Sequence, residues 1–298
     1  MSKSLAAALA RLLKYDESAP SSLFTRPQQQ AIEDIARRTR AVSIVTAGRG
    51  VIYRIVKRDI LVGHLRELRP MDAEEIGEDL PRRAANIAFS RDTKSGKSGH
   101  DCFYLLAKAI SDNVSWHDAE RQRNLDLSMV TQTASAGVLA LNQHSDWESE
   151  STLWLVENQE LFDDIRWLPA DATGTLAYYQ GQLPTILLNW LAGAPRCPRI
   201  IFFPDYDGVG LKNYARLKQA SATKTTFFMI PGWESMLVKF GNREIWLKTQ
   251  DDFVEATQKL AKVGMEDSIA KLCQAMKNEG RALEHEAIAL LGYARIST

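Results

Sequence analysis

From residue 151 onward, short unbroken apolar runs alternate with helix-patterned segments, and the runs end on acids or glycines. Leu153 to Val156 stops at Glu157, TLAYYQG (175–181) closes on Gly181, and Ile200 to Phe203 leads into Asp205-Tyr206-Asp207-Gly208. TTFFMI (225–230) supplies a fourth run, and PTILLNWLAGA (184–194) and LKNYARLKQA (211–220) read as helices between them. A strand that is apolar at every position, not at every second one, has to be covered on both faces. Strands of that kind separated by helices specify a parallel sheet wrapped by helices, so residues 149–298 are expected to form an α/β domain.

The first half has a different rhythm. Residues 3–14 and 27–38 carry apolar side chains at helical spacing, the second segment opening with Pro27 at a favoured first-turn position. Two β runs, 42–46 and 51–56, flank a Gly48-Arg49-Gly50 turn, and residues 60–68 return to helical spacing. Helices followed by a hairpin with a basic tip suit a winged-helix DNA-binding region over residues 1–78, with Arg49 at the wing. Residues 79–148 are mostly helical by pattern, notably at 102–110 and 118–141. Within them RDTKSGKSGH (91–100) is a basic loop whose Lys94 and Lys97 are candidates for contacts to a DNA backbone. It does not make a nucleotide-binding P-loop, because Arg91 stands where that pattern needs a glycine and no apolar strand leads into it. The fold class expected is therefore α+β and multidomain: an N-terminal winged-helix region (1–78), a helical middle region (79–148) and a C-terminal α/β domain (149–298).

Charge and composition narrow the function. Lys and Arg together number 37, as do Asp and Glu, but residues 1–70 hold 13 basic and 6 acidic side chains while residues 71–80 hold five acids and no base. Phosphate-binding faces need such a local excess, because affinity comes from counterions released at the contact and not from total charge. No apolar run approaches the roughly 18–20 residues of a membrane span. The start carries Arg11 and Lys14 inside its apolar part and is read as neither anchor nor signal peptide. Cys102, Cys197 and Cys273 lie far apart without metal-type spacing, which reads as buried thiols in a reducing compartment, hence the cytoplasm.

In a parallel sheet, functional groups gather where strands end and the chain turns towards a helix. Glu157 and the Asp205/Asp207 pair occupy two such exits, and residues two apart in extended chain point the same way. Gly208 and Gly210 allow the backbone a tight turn beside them. Converging carboxylates repel, and a hard divalent cation relieves that repulsion. Mg²⁺ is typically held by one or two carboxylates plus phosphate oxygens of a substrate, an arrangement that supports phosphodiester cleavage.

At these residues the chain resembles a known family. The succession strand–Glu157, strand–Gly181, strand–Asp205-Tyr206-Asp207-Gly208 resembles the Toprim domain of topoisomerases, primases and old-family nucleases. LWLVENQELF, YYQG, FPDYDGVGLKNYARL and LEHEAIALL are similar to the Toprim nucleases of the JetD/MksG type. Those serve the Wadjet and MksBEFG plasmid-defence systems and are related in layout to the A subunit of type IIB topoisomerases. The resemblance is strongest over residues 150–220. It implies that Glu157, Asp205 and Asp207 bind Mg²⁺ or Mn²⁺ and are catalytic, in a homodimer that cuts both DNA strands. It also implies a winged-helix or CAP-like N-terminal half that holds DNA, and an SMC–kleisin complex that delivers circular plasmid DNA. Type IIB topoisomerases attach to DNA through a tyrosine of the CAP-like domain. Here Tyr53 and Tyr104 are the upstream candidates, and both read as packed side chains, so hydrolysis by water without a covalent intermediate is expected.

Further residues attract weaker assignments. Glu284 and Glu286 fall on an expected late helix where the two cannot face the same way, and Glu286 is the preferred additional metal ligand. Lys212, just after the acidic turn, is a candidate contact for a DNA phosphate, while His100 and His285 read as surface or packing histidines. A haloacid-dehalogenase-like phosphatase shares the strand-DxDG pattern, but its later acidic pair should follow an apolar strand, and Asp251-Asp252 follows polar residues. An EF-hand is excluded by Val209 and Arg216 at ligand positions of the loop. A non-catalytic DNA-binding Toprim subunit is the remaining alternative to a nuclease.

Overall fold

The computed structural model describes residues 2–48, 50–71, 80, 82–90 and 101–290. The chain divides into two compact units, Met1–His100 and Asp101–Thr298.

In the first unit, α1 (Ser2–Leu12) and α2 (Arg26–Thr39) precede a hairpin of β2 (Val42–Ala47) and β3 (Gly50–Ile55), after a short β1 (Ser18–Pro20). Helices α3 (Arg58–Leu68) and α4 (Arg82–Ser90) follow. The start of α2 is fixed locally, with the Thr25 backbone N–H donating to the Gln28 side chain at 3.0 Å and proline in the first turn. Arg40, in the left-handed conformation at φ 54°, ends the helix. The strands form an antiparallel sheet in the order β1-β3-β2, with Ala47 paired to Gly50 across the hairpin and Gly48 at φ 60° supplying its turn. Leu9, Leu12, Ile32, Ile35, Val42, Tyr53 and Leu61 close one apolar core. The hairpin tip at Arg49 lies outside the described residues, as do Lys94, Lys97 and His100.

The second unit is built on a six-stranded sheet. In chain order it contains β4 (Phe103–Ala109), β5 (Ser115–His117), β6 (Asn124–Asp126), α5 (Leu127–Ala134), β7 (Gly137–Leu141), β8 (Leu153–Val156), α6 (Gln159–Asp163) and β9 (Thr175–Tyr178). Next come α7 (Thr185–Gly193), β10 (Ile200–Phe203), α8 (Gly208–Ala220), β11 (Thr225–Phe227), α9 (Trp233–Phe240), α10 (Arg243–Lys248), α11 (Gln250–Val263) and α12 (Asp267–Glu279), then a 3₁₀ turn at His285–Ala289. The sheet order is β11-β10-β8-β9-β4-β7. β11, β10, β8 and β9 are mutually parallel, whereas β4 runs antiparallel to both β9 and β7. The molecule is thus mixed α/β, and the expected parallel sheet is a mixed one.

That difference corrects the reading of residues 102–110 and 118–141 as helical. Phe103–Ala109 is a strand that buries Leu105 and Ala107 at alternate positions, and Gly137–Leu141 buries every second residue. Their Leu and Ala content is neutral between helix and strand, and pairing of β4 on both edges decides it. Helix occupies Leu127–Ala134 within the second stretch, started by Asp126, whose side chain accepts from the Met129 backbone N–H at 2.9 Å. Strands β4 to β7 therefore belong to the same unit as the acidic strand ends, and residues 101–148 are not a separate helical body.

The unbroken apolar runs are explained by burial on both faces: all four residues of β8 and all four of β10 are buried. Phe202 in β10 stacks between Tyr179, 5.4 Å away between ring centroids, and Tyr214 of α8 at 6.2 Å. Phe202→Ala is expected to cost about 3–5 kcal/mol of stability, read from urea unfolding, since it removes a ring from a close-packed stack. A loss below about 1 kcal/mol would mean that the stack collapses around the gap. Among the described residues no helix is long and apolar enough to cross a membrane. Cys197 and Cys273 are buried free thiols, and Cys102 is half-buried.

An acidic cluster at the carboxyl edge of the sheet

β8 and β10 are neighbours, but the chain leaves β8 towards β9 on one side and leaves β10 towards β11 on the other. The gap between their carboxyl ends is therefore a topological switch point, the place where open α/β sheets bind ligands. Val156 is in register with both Tyr178 and Phe203, so the residues immediately beyond the three strands converge. Glu157, Tyr179 and Asp205 are among them.

The Asp205-Tyr206-Asp207 segment is held from several directions. Asp207 starts α8, its Oδ1 accepting from the Gly210 backbone N–H at 2.7 Å. Gly208 and Gly210 are required by close approach, not by their own backbone angles. A Cβ on Gly208 would stand 2.0 Å from the Thr249 carbonyl oxygen, and one on Gly210 would stand 2.0 Å from that of Asp205. Tyr206 forms a two-bond antiparallel bridge with Leu283 at 2.8 and 3.0 Å, and the Ile230 backbone N–H donates to its hydroxyl at 2.5 Å.

The bridge brings residues 283–286 to the acidic turn. The His285 backbone N–H donates to Asp205 Oδ1 at 2.9 Å, and its Nδ1 lies 2.6 Å from the same oxygen. Glu286 accepts a hydrogen bond from the Asn158 side chain at Oε1, while its Oε2 is buried without a partner. Glu284 is exposed. The segment is a 3₁₀ turn and not the expected α-helix, and the inward residue of the two glutamates is Glu286. His285 is not a surface histidine: it is 1% exposed and packs 5.1 Å from the Phe203 ring.

Burial and crowding set the electrostatics. Burial, then the nearby charge of Asp205, push the Glu157 carboxyl up to about 7, although Tyr179 donates to its Oε2 at 3.2 Å. Burial also pushes Asp207 up to about 6, with Asp205 adding to the rise. Burial acts upward on Asp205 too, but the hydrogen bonds and charge of His285 outweigh it and hold this carboxyl below its ordinary value. Conversely, burial disfavours the charged imidazole of His285, and its contact with Asp205 overcomes this, leaving the pKa raised.

The predicted residues thus divide. Glu157, Asp205, Asp207 and Glu286 come to one edge of the sheet, and Asp205 and Glu286, with His285, each place one potential ligand atom within 4.8 Å of the others. Lys212 is turned to α11, its Nζ 2.8 Å from Asp252 and 2.6 Å from Glu255, so its charge is engaged within the protein. Tyr53 is buried with its hydroxyl facing Glu33 at 3.4 Å, whereas Tyr104 lies on β4 and is 68% exposed, not packed. Sequence reasoning missed Tyr179 and His285 as neighbours of the acids. For His285 the signal was present, a histidine between two glutamates in an otherwise apolar stretch.

Fold and site together define a mixed α/β protein with a half-buried acidic cluster at the switch point of its sheet. Residues 112–292 match the family described as Domain of unknown function (DUF7281), and the chain belongs to that family. The matched segment includes Glu157, Asp205, Asp207, His285 and Glu286. No curated protein matches the chain.

Proposed function

We propose that this protein is a divalent-metal-dependent DNA endonuclease subunit of the Toprim type, a phosphodiester hydrolase. Its N-terminal winged-helix region would hold DNA, and it would act as a homodimer on plasmid DNA delivered by an SMC–kleisin defence complex in the cytoplasm. The observation that carries the reading is the meeting of Glu157, Asp205 and Asp207 at adjacent parallel strand ends, with two of the three carboxyls pushed upward by burial and mutual repulsion. Titratable groups perturbed by burial together with a specific charge partner cluster at functional sites.

The donor set fits Mg²⁺ or Mn²⁺. The oxygens of Glu157, Asp205, Asp207 and Glu286 are hard donors, and the orphaned Glu286 Oε2 is a buried acceptor in need of a partner. When bound, such an ion supplies charge neutralisation and Lewis acidity at a phosphate. The chain's own residues do the positioning. Gly210 and His285 fix the rotamers of Asp207 and Asp205, and Asn158 orients Glu286. The Tyr179 hydroxyl donates to Glu157 Oε2 at 3.2 Å and would keep this carboxylate oriented towards the cation. Water would add to phosphorus as the bond to the ester oxygen breaks, the proton lost by the water and the one gained by the leaving oxygen being exchanged with solvent, and no protein–DNA bond would form. The basic excess of residues 1–70 supplies sequence-independent attraction to the DNA backbone.

Supercoiled plasmid incubated with purified protein and Mn²⁺ or Mg²⁺ is expected to give linear product, lost in EDTA and in Asp205→Ala. Absence of product both alone and with the SMC complex would end the nuclease reading and leave a DNA-binding subunit.

A further inference from the structure

We propose that His285 is a nitrogen ligand of a cation site completed by Asp205 and Glu286, and that this site selects a first-row divalent transition ion over Mg²⁺. The inference rests on reading the acidic cluster as a metal centre, and it deepens that reading by naming a neutral donor and the class of ion. One potential ligand atom from each of the three residues lies within 4.8 Å of the others. The His285 side chain is 1% exposed, its Nε2 has no hydrogen-bond partner, and its Nδ1 meets only Asp205. Glu286 Oε2 is orphaned in the same way. Two unmet polar atoms in one buried cluster cost free energy unless something completes their coordination.

The imidazole is also held in place as ligands usually are. Its backbone N–H is fixed on Asp205, the Tyr206–Leu283 bridge fixes the chain just before it, and the Phe203 ring packs against one side. Glu286 is oriented through its other oxygen by Asn158. An ion pair between His285 and Asp205 alone accounts for Nδ1, but it leaves Nε2 and the second oxygen of Glu286 unexplained. Mg²⁺ takes oxygen donors and keeps its waters, whereas an imidazole nitrogen raises affinity along the transition series. A mixed set of two carboxylates and one imidazole therefore discriminates by chemistry and not by size.

The test uses the full-length protein freed of metal. Calorimetric titration with MnCl₂ and with MgCl₂ is paired with pulsed electron paramagnetic resonance of the Mn²⁺-loaded protein. A nitrogen hyperfine coupling from a directly bound imidazole is expected in the wild type, with Mn²⁺ bound at least about tenfold more tightly than Mg²⁺. His285→Gln should remove the coupling and about tenfold or more of the Mn²⁺ affinity while leaving Mg²⁺ binding within about threefold. Mn²⁺ bound without nitrogen coupling in the wild type, equal affinities for the two ions, or no binding would each overturn the proposal. The wild-type spectrum decides even if the variant fails to fold. Nitrogen coupling in a protein that never cuts DNA would keep this site and remove the nuclease. Metal-dependent cutting without nitrogen coupling would do the reverse.

Discussion

Asp207→Asn is expected to reduce plasmid cleavage by about 1,000-fold, equivalent to about 4 kcal/mol in the barrier, while DNA affinity stays close to wild type and the metal-free protein melts no lower than wild type at neutral pH. Asp207 has two separable roles. Its Oδ1 caps α8 by accepting from the Gly210 N–H, and its charge faces the acidic cluster. Asparagine caps a helix about as well as aspartate, so the substitution keeps the first role and removes the second. Asp207→Ala removes both and should be about 1 kcal/mol less stable than Asp207→Asn. Affinity for DNA should persist because phosphate contacts elsewhere supply most of it. Single-turnover cleavage of supercoiled plasmid, fluorescence anisotropy with a DNA duplex, and a thermal melt read the three quantities. Unchanged cleavage would take Asp207 out of the reaction, and a fall in Tm alongside lost cleavage would make its role structural.

The metal-free protein should become less stable as pH rises from about 5 to 8. Glu157, at an ordinary 4.5, is raised to about 7 by burial and then by Asp205, and Asp207 is raised to about 6. Each holds a proton in the folded state that the unfolded chain has already released, so the stability they contribute is full below about 4 and lost as pH rises through their folded values. His285, also raised, acts in the same sense through a proton lost above its folded value. Asp205 is held low, so its contribution changes only in more acidic solution. For Glu157 alone the change is about 3 kcal/mol, or about 6–12 °C in Tm for a unit of this size. Thermal melts in EDTA across that pH range should show the decline, and Glu157→Gln should flatten it. Added Mn²⁺ should raise Tm more at pH 8 than at pH 5, because the ion binds the ionised cluster. Wild-type and Glu157→Gln profiles that coincide would mean that the Glu157 carboxyl is not crowded in the folded protein.

How much of this was readable from the sequence depended on where each residue's neighbours lie. β8 and β10 were readable to the residue because burial on both faces leaves no polar position in Leu153–Val156 or Ile200–Phe203. The acids at their exits followed directly, since a parallel sheet places such positions at one edge. β4 was not readable: Leu105, Leu106 and Ala107 suit a helix equally well, and only pairing to β9 and β7 makes them a strand. Lys212 looked free beside the acidic turn because its partners, Asp252 and Glu255, are on a helix 40 residues or more away in sequence. His285 depended on the Tyr206–Leu283 bridge, which no local pattern encodes.

That bridge also sets an order of events. The sheet and its two acidic exits are complete by β11, but Asp205 acquires its histidine only when a segment 80 residues further along docks beside it. Asp205 is therefore made 80 residues before the histidine that holds it. A chain cut short before residue 281 would keep every strand of the described residues and would leave Asp205 without its histidine.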